Sequence, residues 1–257
     1  MITLENIIMR FGGLHAVDDV SFAIEKGVIT GLIGPNGAGK TTLFNIIAGR
    51  LFPTSGRVLL EGEDITRLAP HERSRKGLAR TFQIPHEFGA LTVIENLMVA
   101  GDTSQGESAF NAVLRRRLFR REERAVYERA RDTLDFLELK HVTTEKAGNL
   151  SGGQKKLLEL GRSLMREPRL ILLDEIGAGI NRTLLGKIAE KIKLLNAERG
   201  YTFCLIEHDL DYVSRLCGDV IVMAQGSVLT RGTIDQVRHD ERVIEAYFGG
   251  GKYEVGT

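Results

Sequence analysis

The segment Gly34-Pro35-Asn36-Gly37-Ala38-Gly39-Lys40-Thr41-Thr42 fits the spacing G-x-x-x-x-G-K-[ST], with Gly34, Gly39, Lys40 and Thr41 at the defining positions. Glycines let a backbone curl around a phosphate chain and turn its N–H groups inward. A lysine at this place reaches the β- and γ-phosphates, and the next hydroxyl can ligand Mg²⁺. A plain glycine-rich turn is the alternative; a strand before and a helix after favour the nucleotide loop. A second chemical group stands at Asp174-Glu175. Two adjacent acids ending a strand are often only a solvated terminus. Behind a phosphate loop they read as a Walker B pair, with Asp174 for Mg²⁺ and Glu175 to orient or deprotonate an attacking water. The third is Leu150-Ser151-Gly152-Gly153-Gln154. Ser151 with Gln154 makes a capping box, and Leu157, Leu160 and Leu164 continue it as an apolar helical face. Glycine in a helix interior costs about 1 kcal/mol against alanine, so two in a first turn make sense where the backbone must come very close to something. Exposed N–H groups and a serine hydroxyl at a helix N-terminus form an anion site. The chain therefore carries two helix ends suited to phosphate, far apart in sequence.

These groups need elements to hold them. Val28–Ile33 (VITGLI), Leu170–Leu173 (LILL) and Tyr201–Ile206 (YTFCLI) are short apolar runs rich in β-formers, the pattern of fully buried strands in a parallel sheet. The first runs into the glycine-rich segment, the second into Asp174-Glu175 and the third into Glu207-His208. Ligands of open α/β sheets bind beyond the carboxyl ends of the strands, so these three ends are expected to converge on one site. Leu43, Ile46 and Ile47 fall at helical spacing after the loop, and Gly49 is placed to end that helix. Its positive N-terminus then faces the phosphates.

Composition narrows the classes. The chain has 257 residues and a formal net charge of +1, with 42% hydrophobic and 27% charged residues, the balance of a soluble globular protein. A near-neutral charge lacks the basic surplus that phosphate-backbone contacts need, so no nucleic acid is expected as a partner. No apolar run reaches the ~18 residues of a membrane span, and the opening MITLENIIMRFGG does not read as a signal peptide. Cys204 and Cys217 suggest neither a disulfide framework nor a zinc site, and a reducing cytosol is the expected compartment. His15, His71, His86, His141, His208 and His239 are scattered without ligand spacing. Residues 104–108 read as a loop and 249–257 as a frayed tail.

In chain order, GPNGAGKTT, the glutamine of Arg80-Thr81-Phe82-Gln83, LSGGQ, LILLDE and the late His208 resemble the nucleotide-binding cassette of ABC transporters, over essentially the whole chain. The resemblance implies an α/β fold: a P-loop NTPase with a RecA-like core, an antiparallel β-subdomain and an inserted α-helical subdomain. On that pattern residues 1–83 and 149–250 form the core with its β-subdomain, 84–148 the helical subdomain and 251–257 a tail. It implies ATP and Mg²⁺. Phe11 is expected to stack on adenine, and Gly34, Pro35, Asn36, Gly37, Ala38, Gly39, Lys40, Thr41 and Thr42 to bind the nucleotide. Thr41, Gln83 and Asp174 are expected at the metal, with Glu175, His208 and Gln83 catalytic. Ser151, Gly152, Gly153 and Gln154 are expected to address the nucleotide of a second copy. Two chains, identical or not, would then sandwich two ATPs head to tail, and hydrolysis would release the contacts holding them shut.

The partners implied are a second ATP-binding subunit, transmembrane permease subunits and, for an importer, a periplasmic or extracellular substrate-binding protein. The place implied is the cytoplasmic face of the inner membrane, as a peripheral subunit. Departures from the common pattern are Ile176, where most cassettes have proline, Asn181, where aspartate is usual, and the segment 84–88. ITLENIIMRFGGLHAVDDVSF, GLARTFQ and the ending VIEAYFGG resemble the cassettes of branched-chain amino acid importers. The lipopolysaccharide-export ATPase and urea-type importers share much of this template. A soluble repair ATPase would carry long coiled coils between the loop and LSGGQ, and no sustained heptad runs there; translation-factor members usually fuse two cassettes in one chain. A P-loop kinase would leave LSGGQ and His208 idle.

One stretch lies outside these motifs. Ala112–Leu139 is locally basic, with Arg115, Arg116, Arg117, Arg120, Arg121, Arg124, Arg129 and Arg131 diluted by Glu122, Glu123, Glu128 and Asp132. Tyr127, Ala130, Leu134 and Leu137 make an apolar stripe, so a solvated, salt-bridged helix pair is expected, with anionic lipid or a membrane subunit as the alternative contact.

Overall fold

The computed structural model describes residues 1–81, 87–101, 116–177 and 179–248. Gln83 with most of the 84–88 segment, the expected 104–108 loop and the tail from 249 onward lie outside the described residues. Two compact units divide the chain: Met1–Arg80, Arg169–Gly177 and Ile192–Thr257 form one, Thr81–Pro168 and Ala178–Lys191 the other. Among the described residues no helix is long and apolar enough to cross a membrane.

The first unit opens with β1 (Ile2–Phe11) and β2 (Leu14–Ile24), an antiparallel hairpin. Inward residues Ile2, Leu4, Ile7 and Met9 of β1 are buried, the alternation of a sheet with one covered face. Then come β3 (Ile29–Ile33), α1 (Lys40–Ile47), β4 (Ser55–Leu60), β5 (Glu63–Asp64), α2 (Pro70–Arg75) and β6 (Leu78–Arg80). In the second unit α3 (Val93–Gly101), α4 (Arg116–Phe136) and α5 (Gly152–Leu164) follow. The chain returns through β7 (Leu170–Asp174), and α6 (Arg182–Arg199) has residues in both units. Last are β8 (Thr202–Ile206), α7 (Leu210–Leu216), β9 (Asp219–Ala224), β10 (Ser227–Gly232), α8 (Ile234–Arg238) and α9 (Glu241–Phe248).

Two sheets result, one ordered β2-β1-β4-β5 and the other β10-β9-β3-β8-β7-β6. In the larger, β9, β3, β8, β7 and β6 run parallel and β10 pairs antiparallel at the edge. The three strands expected from continuous apolar runs are β3, β7 and β8, each buried along its whole length. The fold is the expected α/β cassette, with an antiparallel sheet beside a parallel core.

Helix α1 is built into the middle of this unit. Its Leu43, Phe44, Ile46 and Ile47 share one core with Leu4, Ile7 and Val20 of the hairpin and with Leu172, Cys204 and Ile206 of the parallel sheet. Gly49, in the left-handed region at φ 76, ends the helix, as its place in the sequence predicts. Behind it Arg73, fully buried, donates to the carbonyls of Ile46 and Ile47 at 2.6 and 2.7 Å and of Thr66 at 2.8 Å. A guanidinium here satisfies the carbonyls at the negative end of the helix. Burial lowers its pKa to about 10, with Asp64 acting in the opposite direction.

In the second unit a single helix, α4, covers the described part of the stretch expected to form a helix pair, and the stripe is buried at Ala130 and Leu134 and at Leu137 just past its end, but Tyr127 is exposed, so the stripe is one turn shorter than the sequence suggested. Toward the N-terminus of that helix Arg121, Glu122, Glu123 and Arg124 are all exposed. Arg131 pairs with Glu128 at 3.4 Å, an exposed pair of little energetic weight.

Candidate functional site

Because β3, β8 and β7 are neighbours running the same way, their carboxyl ends emerge on one edge of the sheet. Each end carries the chemistry singled out in the sequence. β3 leads into the glycine-rich loop, β7 ends on Asp174 and continues to Glu175, and β8 continues to Glu207 and His208.

The loop has the shape its glycines allow. Gly34 lies against β9, where a Cβ would fall 2.0 Å from the Met223 carbonyl oxygen. Gly39 precedes α1 at φ 94, and a Cβ there would meet the Ala16 carbonyl oxygen at 2.4 Å. No larger residue fits either place. Pro35 accepts from the Ala38 N–H at 3.2 Å, and the Ala38 carbonyl accepts from Gly226. Asn36, Gly37 and Thr41 are exposed, and Thr42 is half-buried. Lys40 is buried, and its Nζ donates to the carbonyls of Gly34 at 2.7 Å and Pro35 at 2.9 Å. Burial lowers the Lys40 pKa, while Glu175 and Asp174 act to raise it.

Helix α1 begins with no side-chain cap and no acid in its first turn. The first N–H groups of a helix have no intrahelical acceptor, so this end offers its amides to an anion. A phosphate chain fits that cradle of amides and ammonium. Among the described residues no three His, Cys, Asp or Glu side chains gather into a metal cage. Asp174 and the Thr41 hydroxyl are nonetheless hard oxygen donors of the kind Mg²⁺ takes in ones and twos beside phosphate.

Asp174 is buried, and its Oδ2 pairs with Arg80 Nη2 at 2.8 Å. The other end of that guanidinium, Nη1, donates to Asn45 Oδ1 on α1 at 2.6 Å. Glu175 sits in the left-handed region at φ 47, rare for a residue other than glycine, and its N–H donates to the Ile206 carbonyl at 3.0 Å. Strained backbone of this sort concentrates at functional positions. Its Oε1 lies 2.6 Å from His208 Nε2. Glu207 is buried, and its Oε1 accepts the Gly177 N–H at 2.9 Å. Burial raises its pKa, opposed by hydrogen bonds from the Gly177 and His208 backbone. Ile176, the departure from proline, is 7% exposed. Phe11 ends β1 opposite Leu14 and is 48% exposed, packed into no core.

In the second unit Ser151 caps α5. Its Oγ accepts the Gln154 N–H at 3.3 Å, and Gln154 Oε1 accepts the Ser151 N–H at 3.0 Å, the capping box read from the sequence. Leu157, Leu160 and Leu164 are buried as expected. A Cβ on Gly152 would touch nothing within 4 Å, whereas one on Gly153 would run into the Leu184 side chain. Asn181, the other departure, takes the Leu184 N–H on its Oδ1 at 2.9 Å and starts α6. Sequence reading missed Arg80, Glu207's bond to Gly177, and Tyr247 on α9. The Tyr247 pKa is raised by burial and opposed by a hydrogen bond from the Gly34 backbone. Arg80 stood in a quoted motif, but its partners are distant in sequence.

A parallel sheet with a glycine-rich loop on one strand end and an acid pair on another defines a P-loop nucleotide-binding fold. The family is narrower. Residues 17–178 match the ABC transporter family, and residues 227–253 match a family described as branched-chain amino acid ATP-binding cassette transporter. The chain belongs to the ABC transporter family and is an ATP-binding cassette, an ATPase. It is 41% identical, over 98% of its length and 96% of the relative's, to a probable branched-chain amino acid transport ATP-binding protein, LivG, of Archaeoglobus fulgidus. A solved cassette of an ABC transporter in its ADP conformation is 42% identical, with a TM-score of 0.84 over 97% of this chain and 98% of that one. A dimeric cassette solved in a post-hydrolysis state with ADP and Pi is 25% identical, with a TM-score of 0.76 over 91% and 99%.

Proposed function

We propose that the chain is the ATPase subunit of an importer for branched-chain amino acids, working as one of a pair of cassettes on the cytoplasmic face of a membrane. Its partners are a second cassette, permease subunits and an external substrate-binding protein. The observation that carries the catalytic reading is the shared sheet edge, where Lys40 touches the loop carbonyls and Glu175 lies 2.6 Å from His208. The import reading rests on the match at residues 227–253 and on the names of the relatives.

In this reading Gly34 to Thr42 wrap the phosphates with backbone amides, Lys40 turns its ammonium from the loop carbonyls to the β- and γ-phosphates, and Phe11 stacks on adenine. Thr41 and Asp174, with Gln83, would hold Mg²⁺. When bound, that ion neutralises phosphate charge and so favours attack on the γ-phosphorus. Glu175 orients the attacking water and accepts its proton. His208 holds the Glu175 carboxylate and reaches the γ-phosphate. Water adds to phosphorus as the bond to the β-phosphate oxygen breaks, giving ADP and phosphate. Ser151, Gly152, Gly153 and Gln154 close on the nucleotide of the partner cassette, as the paired relative suggests. Residues 84–148 serve as the helical lobe that meets the permease, and 1–83 with 149–250 as the core. ATP shuts the pair only by its preference for the closed state, and loss of the γ-phosphate removes that preference.

Co-purification tests the transport reading: the chain expressed at native level should come down with two permeases. A partner set without membrane proteins would overturn it.

A further inference from the structure

Arg80 is the last residue of β6, paired across the ladder with Leu172, two residues ahead of Asp174 on β7. Its side chain is 9% exposed and that of Asp174 5%. Both ends of the guanidinium are in use. Nη2 binds Asp174 Oδ2 at 2.8 Å, and Nη1 binds Asn45 Oδ1 at 2.6 Å. Its Cζ stands 5.9 Å from the centre of the Phe44 ring. Asn45 lies four residues after Thr41 on α1, and residues at that spacing share one helix face. One rigid side chain thus spans from the helix carrying Thr41 to the carboxylate of Asp174. A planar guanidinium can bridge two acceptors in fixed directions, as an ammonium cannot.

The pair is a poor device for stability alone. Buried ion pairs recover little beyond their desolvation cost, and the Arg80 Nε–H is buried with no acceptor among the described residues.

We infer that Arg80 is a positioning residue for Mg²⁺: by tying Asp174 Oδ2 to Asn45 it sets the Asp174 carboxylate against the helix that presents Thr41. This rests on the reading of Asp174 as a metal residue given above. Arg80 would act through the carboxylate rather than as a metal ligand itself, by fixing one of its oxygens. Partners that orient a metal ligand typically change metal affinity about 10–100-fold when removed.

The experiment uses the full chain saturated with a non-hydrolysable ATP analogue. Mn²⁺, a paramagnetic stand-in for Mg²⁺, is titrated in and the free ion read by EPR; affinity for the analogue is measured separately in EDTA. Arg80→Met is expected to weaken Mn²⁺ binding by roughly tenfold or more and to leave metal-free nucleotide affinity as it was. Arg80→Lys, which keeps the charge but not the bridge, is expected to weaken Mn²⁺ binding in the same direction, and it decides the question if Arg80→Met does not fold. Wild-type Mn²⁺ affinity in these variants, with Asp174→Asn weakening it, overturns the inference alone. So does an equal loss of nucleotide affinity in EDTA, which marks a merely structural role. If Asp174→Asn itself leaves Mn²⁺ affinity unchanged, the metal reading of Asp174 fails and the inference falls with it.

Discussion

A glycine stands at the start of two helices, as the cap residue of α1 and in the first turn of α5, and the two begin differently. Before α1 stands Gly39, left-handed, with no side-chain cap and no acid in the turn that follows. Before α5 stands Ser151, whose hydroxyl takes the Gln154 N–H while the Gln154 side chain takes the Ser151 N–H. The first end leaves its amides open and has an ammonium, Lys40, held by the neighbouring carbonyls. The second has closed on itself. A helix end left open in the folded chain is a receptor prepared in advance, because the cost of ordering it is met on folding. A self-capped end gains a ligand only by exchanging its cap for a better acceptor, which suits a contact made after a second cassette has brought its nucleotide.

The glycines differ in the same way. Gly39 combines φ 94 with a backbone oxygen where a Cβ would go, whereas Gly152 has open space around it. Packing within the chain demands the first and is indifferent to the second. In the proposed pairing, a requirement for glycine at 152 would lie in the contact with a second cassette, outside the folded chain.

Glu175→Gln gives the largest effect. Removing general-base help costs about 10²–10⁴-fold in rate, or roughly 3–5 kcal/mol of barrier, read as phosphate release. The open end at α1 should still bind ATP, and the self-capped end should be caught in its exchanged state as a dimer seen by light scattering. A monomer under saturating ATP-Mg²⁺ breaks the contrast, because α5 would then have no outside ligand to meet.

Gly39→Ala comes next. The wrong backbone region and a 2.4 Å approach to the Ala16 carbonyl oxygen should cost about 2–3 kcal/mol of folding stability. Urea unfolding without nucleotide measures it. A loss under about 0.5 kcal/mol, the scale of an ordinary surface substitution, would mean that the loop relaxes freely and is no prepared receptor.

How much of this was legible beforehand follows from how local each signal is. Strands β3, β7 and β8 announced themselves as continuous apolar runs because both faces of a parallel sheet are covered. The capping box at Ser151 was legible because it is made by residues three apart. The Arg80 bridge was not, since it joins residues from three elements and β6 is only Leu78–Arg80, too short to show a period. The stripe on α4 was read one turn too long at Tyr127, because helical spacing tells which residues share a face but not where the covering surface stops. Ile176 read as a departure and proved to be a buried apolar residue, which a pattern comparison alone does not reveal. Gln83 was legible as a motif, and its segment lies outside the described residues.

Ser151→Ala has a smaller effect. Losing a serine cap costs about 1 kcal/mol, so the chain should unfold at lower urea without nucleotide. The matching change at α1 has no counterpart, since that end has no cap to lose. An unchanged midpoint would show that the capping box carries no weight, and the two helix ends would then be alike.

Gly152→Ala is the smallest effect and the sharpest in sign. Its backbone is outside the left-handed region and a Cβ there would touch nothing within 4 Å. Alanine at such a site stabilises by about 0.4–1 kcal/mol, largely by restricting the unfolded chain. The isolated chain should therefore become slightly more stable in urea. In the Glu175→Gln background the same methyl group should weaken the ATP-dependent dimer, because in the proposed pairing it stands where the α5 backbone approaches the partner's phosphate. A gain in folding with a loss in pairing separates a glycine kept for a ligand from one kept for a fold. If the variant folds better and pairs as well as its parent, Gly152 serves neither purpose and α5 is an ordinary capped helix.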